Sequence, residues 1–522
     1  MEEEIKSCLK ELLDSDYLTE DDYKYLKPVG SSPGILYGMC KVHKNVDGLS
    51  PPFRPILSAI GTPTYNLAKF FVPLLKEHTV NDHTLNDSFA FAEDIVKQDP
   101  SSYMVSFDVT SLFTNIPLDE TINLCVDKLY HKKKKVKGLL KRHCKKLLTL
   151  ATKSSCFAFD NVYYRQLDGV AMGSPLGPTL ANLFLCHYET IWLRDCPVQF
   201  KPIYYRRYVD DVILLFKSRD HVKKFHKYLN SRHRNITFEA EEESNNSLAF
   251  LDVLVSRVNS RFVTSVYRKK TFSGVYLNHK SYLPKEYKHG LLSTLLFRSF
   301  SLCSNYELLH DEIDRLKVIW LKNSYPLHMI DKCIFRFLDK LFSKPARDKD
   351  VSSKKEVIVS LMYLGNISIQ VKKRLRNIFR SSNLNVKLVV VFSSINRIKS
   401  SFNFKDSIPR DLKSLVLYRY TCSTCRGTYL GETKRHFLVR SYEHLGLSII
   451  TNREFKFNDK LASSVRKHCV HNSHNNCLDN FKIIGGAKNK FHLKLKESLI
   501  IHKEKPDLNI AKESLPLKLF EN

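Results

Sequence analysis

Three aspartates stand where charge is expensive to bury. Asp108 closes the apolar run "SSYMVSFDV", and Asp210 and Asp211 interrupt "IYYRRYVDDVILLF", whose flanks read as strand buried on both faces. Carboxylates brought together from two strands can hold two divalent cations. In phosphoryl transfer one cation activates an attacking hydroxyl and the other clamps the leaving pyrophosphate. Neighbouring strand residues point to opposite faces, so alternation is expected to set only Asp210 beside Asp108, with Asp211 in support. Alone, Asp108 reads as a cap on the turn into the "PLDETI" helix. Paired with the later Asp-Asp doublet, it reads as a metal ligand.

A second grouping lies near the C-terminus. Cys422 and Cys425 form a Cys-x-x-Cys pair, and "VRKHCVHNSHNNC" follows with His468, His471 and His474. Thiolate and imidazole suit four-coordinate zinc, and the expected ligands are Cys422, Cys425, His468 and His474, with Cys469 and His471 as competitors. The two halves are too far apart in sequence for a compact finger, so a folded unit must bring them together. A free Cys pair beside a solvated His-rich loop is the plainer alternative.

The chain that must position these groups has 522 residues, 43% hydrophobic and 26% charged, a globular composition with room for several domains. Its 83 Lys+Arg against 54 Asp+Glu leave a formal charge of +29, which favours a polyanionic partner. No apolar run reaches the roughly 18 residues that cross a bilayer, and Met1-Glu2-Glu3-Glu4 does not begin a signal peptide, so nucleic acid is expected over membrane. The thirteen cysteines carry no secretory pattern and point to a reducing compartment. Strand-like runs alternate with helical stretches such as "TINLCVDKLYHKKKKVKGLLKRHCKKLLTLA", which predicts a mixed α/β (α+β) architecture. The Lys132–Lys135 run is expected inside that helical stretch, either on a solvated face or against phosphates.

Tyr208-Val209-Asp210-Asp211 resembles the Y-x-D-D box of reverse transcriptases, and Phe107-Asp108 resembles their preceding metal-binding motif. Between them, "GVAMGSPLGPTLANLFL" is similar to the turn and helix that brace template and nucleotide, with Gly173, Ser174, Pro175 and Gly177 in the turn and Asn182 facing the site. By the same resemblance Arg54, assisted by Lys41, holds the triphosphate, and Phe113 excludes a ribose 2′-hydroxyl. "LAFLDVLVSR" resembles the strands that grip the primer, with Asp252 structural. The resemblance covers roughly residues 30–310 and implies a right-hand polymerase of fingers, palm and helical thumb.

"LVLYRYTCSTCRGTYLGETKRHFLVRSYEHLG" resembles a GIY-YIG nuclease, although Val416-Leu417-Tyr418 lacks the first Gly and Ile. The resemblance implies Tyr418 and Tyr429 near the water nucleophile, Arg440 on the phosphate and Glu497 on one Mg²⁺. Asn509 closes the motif, and Arg435 and His436 are alternative phosphate contacts. Together the two resemblances point to a Penelope-like retroelement protein. They imply an RNA template, a DNA primer or target, dNTPs, Mg²⁺ (or Mn²⁺), one Zn²⁺ and nuclear residence. The expected domains are an N-terminal segment (1–50), fingers and palm (51–262), helical thumb and connector (263–382), linker (383–411) and a small α/β GIY-YIG unit (412–512). Two other classes stay open: a decayed copy, and a domesticated nucleic-acid-binding protein lacking one or both activities.

Overall fold

The apolar run around Asp210 and Asp211 is covered on both faces. The structure, a computed structural model, describes residues 1–41, 51–153, 155–342, 355–381, 386–394, 407–449, 453–458 and 462–509. Strands Tyr204–Tyr208, Asp211–Phe216, Tyr103–Val109 and Phe238–Glu242 form a sheet in that spatial order, every neighbouring pair antiparallel. Val212, Leu214 and Phe216 join Val105 and Phe107 in the larger core, with helices Leu118–Leu129, Gly177–Arg194 and Arg219–Asn230. Ile213, Leu215 and Met104 enter a second core with Phe91, Leu248, Phe250 and Val255. Alternate residues therefore face different cores, which is why no polar alternation shows in the sequence. Each such side chain contributes roughly 1.5–3 kcal/mol by burial, so the acids at the strand ends have rigid surroundings.

A second sheet, in the order Phe53–Ser58, Gly34–Cys40, Cys156–Phe159 and Val162–Arg165, supplies the basic residues expected in the fingers. Its Leu57 N–H donates to the Met172 carbonyl (2.8 Å), tying it to the turn before helix Gly177–Arg194. Beyond the palm, a three-stranded antiparallel sheet, Arg261–Val266, Val253–Val258 and Ser247–Phe250, leads into helices Lys285–Leu302, Tyr306–Lys322 and Leu327–Phe342. These helices close around Trp320. The Arg298–Asp252 pair (2.8 Å) and a buried Arg268–Glu312 pair fix them to the palm, giving Asp252 the structural role expected of it.

Two expectations change here. The Lys132–Lys135 run lies in the loop between helices Leu118–Leu129 and Lys141–Lys153, where Lys132 has φ +60° and breaks the helix. Residues expected as connector instead hold strand Lys355–Met362 and helix Asn366–Ser381, and the run "VKLVVVF" in the expected linker, which reads as β-rich, forms strand Val386–Ser393 in parallel pairing with the first. Residues 395–406 of the expected linker lie outside the described residues. The C-terminal unit is an antiparallel sheet, Thr428–Thr433, Val416–Thr421 and Phe481–Gly486, with helices Phe437–Leu445, Ser464–His471 and Lys490–Glu504. The whole is mixed α/β. Among the described residues no helix is long and apolar enough to cross a membrane.

Candidate functional site

Asp108 sits directly opposite Asp211 in the antiparallel register, so the two side chains share a face of the sheet. Asp210 lies in the two-residue turn of the hairpin, where strand alternation no longer applies. The expectation that Asp210 alone would stand with Asp108 is therefore corrected, and all three aspartates line one cavity. Burial, followed by the charges of Asp210 and Asp108, pushes the Asp211 carboxyl up to about 6, with Lys269 opposing the rise. That is the electrostatic signature of a site awaiting positive charge. At the start of the "PLDETI" helix the Leu118 N–H donates to the Asp168 carboxylate (3.0 Å).

The cavity, about 930 Å³, brings these aspartates together with Lys41, Arg54, Phe113, Gly173, Ser174 and Pro175. Gly173 has φ +124°, and a Cβ there would lie 2.2 Å from the Leu57 carbonyl oxygen, so no other residue fits the turn. Asn182 does not line the cavity. Its Oδ1 accepts from Arg207 Nη1 (2.9 Å) behind the hairpin, which corrects the expectation that it faces the site. Arg207 and its partner Glu189 were not picked out from the sequence. Both side chains are only 1% exposed and they pair at 2.7 Å.

In the C-terminal unit Tyr418 and Tyr429 are buried with ring centroids 6.3 Å apart. Gly431 pairs with Tyr418 across the strands, and a Cβ there would meet Tyr418 Oη at 2.6 Å, so glycine is what lets the rings approach. Arg440 Nε donates to Tyr418 Oη (3.2 Å) and its Nη1 to Glu443 (2.9 Å). Glu497 stands close enough for its charge to act on Tyr418. Tyr418 is pushed up chiefly by burial, against the pull of Arg440. Burial also raises the Glu443 carboxyl, but hydrogen bonds from Arg435 and Arg440 outweigh it and hold it low. Arg435 is thus engaged by Glu443 (2.5 and 2.7 Å), and His436 meets the Ser31 carbonyl. Asn509 clamps the backbone of Leu430 from both sides (2.8 and 2.7 Å), a structural role.

His444 was visible in the sequence only as the neighbour of Glu443. It lies one turn after Arg440, a spacing that puts both on one helix face. The ring is fully buried, with Nε2 at 2.7 Å from Tyr418 Oη and Nδ1 at 2.7 Å from Ser463 Oγ. Because Tyr418 Oη already accepts from Arg440, its proton is free to point at His444 Nε2. The Nδ1–H tautomer then completes a chain from Arg440 to Ser463.

Cys422, Cys425, His468 and His474 meet, their ligand atoms all within 4.8 Å of one another. Separations are 3.5 Å for Cys422 Sγ to His474 Nδ1, 3.3 Å for Cys425 Sγ to His468 Nε2 and 3.1 Å between the imidazole nitrogens. A tetrahedral ion with zinc's bond lengths sets edges of roughly 3.6 Å for S···N and 3.3 Å for N···N, so the donor set fits. Burial pushes the Cys422 thiol up, but the Cys425 and Thr424 N–H groups and the His468 and Cys425 side chains prevail and draw it down to about 5. The competitors fall outside the group: Cys469 Sγ bonds Tyr420 Oη (3.1 Å), and His471 packs on Phe457.

Residues 45–243 match the family model described as Reverse transcriptase (RNA-dependent DNA polymerase), and residues 275–335 match one described as Animal helix-turn-helix domain. No curated protein matches the chain. Among solved structures it is similar to an apo telomerase of Candida tropicalis truncated from its C-terminal domain. That pair has 11% identity and a TM-score of 0.33, over 44% of this chain and 54% of that chain. It is also similar to a Candida albicans telomerase in complex with a TWJ fragment of telomeric RNA, at 11% identity and TM-score 0.38 over 60% and 64%. A Sicinivirus 3Dpol RNA-dependent RNA polymerase gives 12% identity and TM-score 0.38 over 62% and 71%. The chain thus spans less than two thirds of the telomerase chains, and such TM-scores carry no argument of their own. The family match takes in all three aspartates and the Gly173–Pro175 turn, so over residues 45–243 the chain is similar to a reverse transcriptase domain.

Proposed function

We propose that the protein is an RNA-directed DNA polymerase of a Penelope-like retroelement, extending a DNA 3′-hydroxyl on an RNA template and carrying a GIY-YIG endonuclease that nicks target DNA. The observation that carries the first half is the 930 Å³ cavity, in which Arg54 and three aspartates of the matched region face one space, with Lys41 just before that region. Asp108, Asp210 and Asp211 would hold Mg²⁺ or Mn²⁺, which activates the primer hydroxyl and steadies the leaving pyrophosphate. Arg54 and Lys41 take the triphosphate, the Gly173–Pro175 turn brings backbone close to the nucleotide, and Phe113 fills the space a 2′-hydroxyl needs. The second half rests on Tyr418, Tyr429 and Arg440 in contact, with Glu497 in electrostatic reach as the Mg²⁺ ligand. The four Cys and His residues would hold one structural zinc. RNA template, DNA target and dNTPs are the partners, and nuclear residence follows from that substrate.

Primer extension on an RNA template, wild type beside Asp210→Asn, tests the polymerase. Mg²⁺- or Mn²⁺-dependent dNTP incorporation lost in the variant is expected. A wild type that incorporates nothing would instead leave a nucleic-acid-binding protein. Nicking of supercoiled plasmid, lost in Arg440→Ala, tests the nuclease separately, and equal nicking by the variant would refute the assignment.

A further inference from the structure

The hairpin that carries Asp210 and Asp211 turns at a strained residue. Val209 has φ +56°, a left-handed conformation that β-branched residues rarely adopt and that persists only when its surroundings enforce it. The enforcing contact is Arg207, whose Nη1 donates to the Val209 carbonyl (3.1 Å). A guanidinium has five N–H donors, and here the protein takes all five. Nε and Nη2 grip the two oxygens of Glu189 (2.7 and 2.9 Å), Nη1 also reaches Asn182 Oδ1 (2.9 Å), and Nη2 reaches Cys186 Sγ (3.1 Å).

Glu189, Cys186 and Asn182 all lie on helix Gly177–Arg194, whose first turn follows the Gly173–Pro175 turn of the nucleotide cavity. Glu189 is itself held by Asn81 Nδ2 (2.6 Å) and Tyr205 Oη (3.3 Å). The Arg207 backbone is bonded on both sides to the 81–85 segment, its N–H to His83 O and its carbonyl to Leu85 N–H (each 2.8 Å). A charge pair this deeply buried adds little net stability over an apolar pair, so its fixed geometry calls for another explanation.

We propose that Arg207, locked by Glu189, is the positioning residue that sets the Asp210–Asp211 turn at a fixed distance from the nucleotide-binding turn. It touches no substrate and acts through the Val209 carbonyl. The role in turnover rests on the polymerase reading above.

The test uses the full chain with R207K and with the neutral pair R207M/E189Q, because R207M alone leaves a buried unpaired carboxylate. Both variants are expected to unfold within about 3 °C of wild type. Both are expected to lose about 10²-fold in kcat with the dNTP KM nearly unchanged, as misplacement by about 1 Å does. A second readout needs no activity. The Val109 N–H donates to the Asp210 carbonyl (3.1 Å), and its amide exchange should quicken about tenfold in both variants while the rest of the sheet is unaffected. Wild-type kcat and wild-type Val109 exchange in the neutral pair would overturn the proposal. If wild type extends no primer, the polymerase reading fails and Val109 exchange still decides for or against the brace.

Discussion

Acidification should loosen the C-terminal unit through one buried ring. His444 is fully buried, and burial, aided by the Arg440 charge, holds its pKa well below the ordinary 6.5. Both ring nitrogens are already engaged, so an added proton would break the chain from Tyr418 to Ser463. In the unfolded chain the same ring protonates near 6.5. A depressed folded pKa gives stability that is present above 6.5 and lost as pH falls. Below 6.5 the unfolded state binds one proton more, and the slope is about 1.4 kcal/mol per pH unit. Integrated from pH 7.5 to 5.5 the loss is also about 1.4 kcal/mol, a tenfold rise in the open population. Fluorescence will not see it, because the two tryptophans, Trp192 and Trp320, lie outside this unit. Amide exchange of a peptide covering Val416–Thr421 will. His444→Gln removes the titration, and comparing it with wild type at each pH cancels the intrinsic pH dependence of exchange. The exchange ratio of wild type to variant should rise about tenfold between those pH values. A ratio that stays flat would refute the reasoning, since a buried neutral imidazole cannot escape linkage.

The Cys422–Cys425–His468–His474 group predicts about one zinc per chain by elemental analysis, and none in a Cys422→Ser/Cys425→Ser variant. The same variant should show faster exchange across Thr428–Thr433 and Ser464–His471 while its Mg²⁺-dependent primer extension survives. Loss of both together would show that the two units do not fold independently. Phe113→Ala should let ribonucleotides compete, lowering dNTP-over-rNTP discrimination in single-turnover incorporation by about tenfold or more, with dNTP use less affected. Unchanged discrimination would move the 2′-hydroxyl filter elsewhere in the cavity.

The acids were legible because a lone carboxylate in a doubly covered strand contradicts its surroundings, and nothing but function resolves the conflict. The Cys and His ligands were legible by chemistry, and the fold chose among the competitors by pointing Cys469 at Tyr420. What stayed hidden was pairwise. In "YYRRYVDD" Arg206 and Arg207 look alike, yet Arg206 meets Asp94 at a half-buried surface while Arg207 is swallowed whole. Nothing local tells them apart, because the difference is made by a glutamate on another helix. Asn182 was misread for the same reason, since its helix spacing put it near the site but not on the side that Arg207 claims. Strand Val386–Ser393 read as apolar, but its parallel partner lies across an intervening helix, a pairing that no short window shows.

Arg207 and Arg440 separate structure from chemistry by the use of their donors. Arg207 is 1% exposed and gives all five N–H groups to protein acceptors, so it has nothing to offer a substrate and everything to fix. Arg440 keeps 29% of its side chain exposed, using Nε on Tyr418 and Nη1 on Glu443, beside the residue whose charge it must balance. A phosphate arriving there would compete with Glu443 for the same cation, and Glu443 has Arg435 to fall back on. Under the proposed nuclease reading, that exchange of partners would keep both carboxylate and phosphate paired, so Arg440 could turn to substrate without stranding a half-buried charge. At the palm the logic runs the other way. Three carboxylates line one cavity, and burial with the charges of Asp210 and Asp108 raises the Asp211 carboxyl, a cost that metal ions would offset under the proposed polymerase reading.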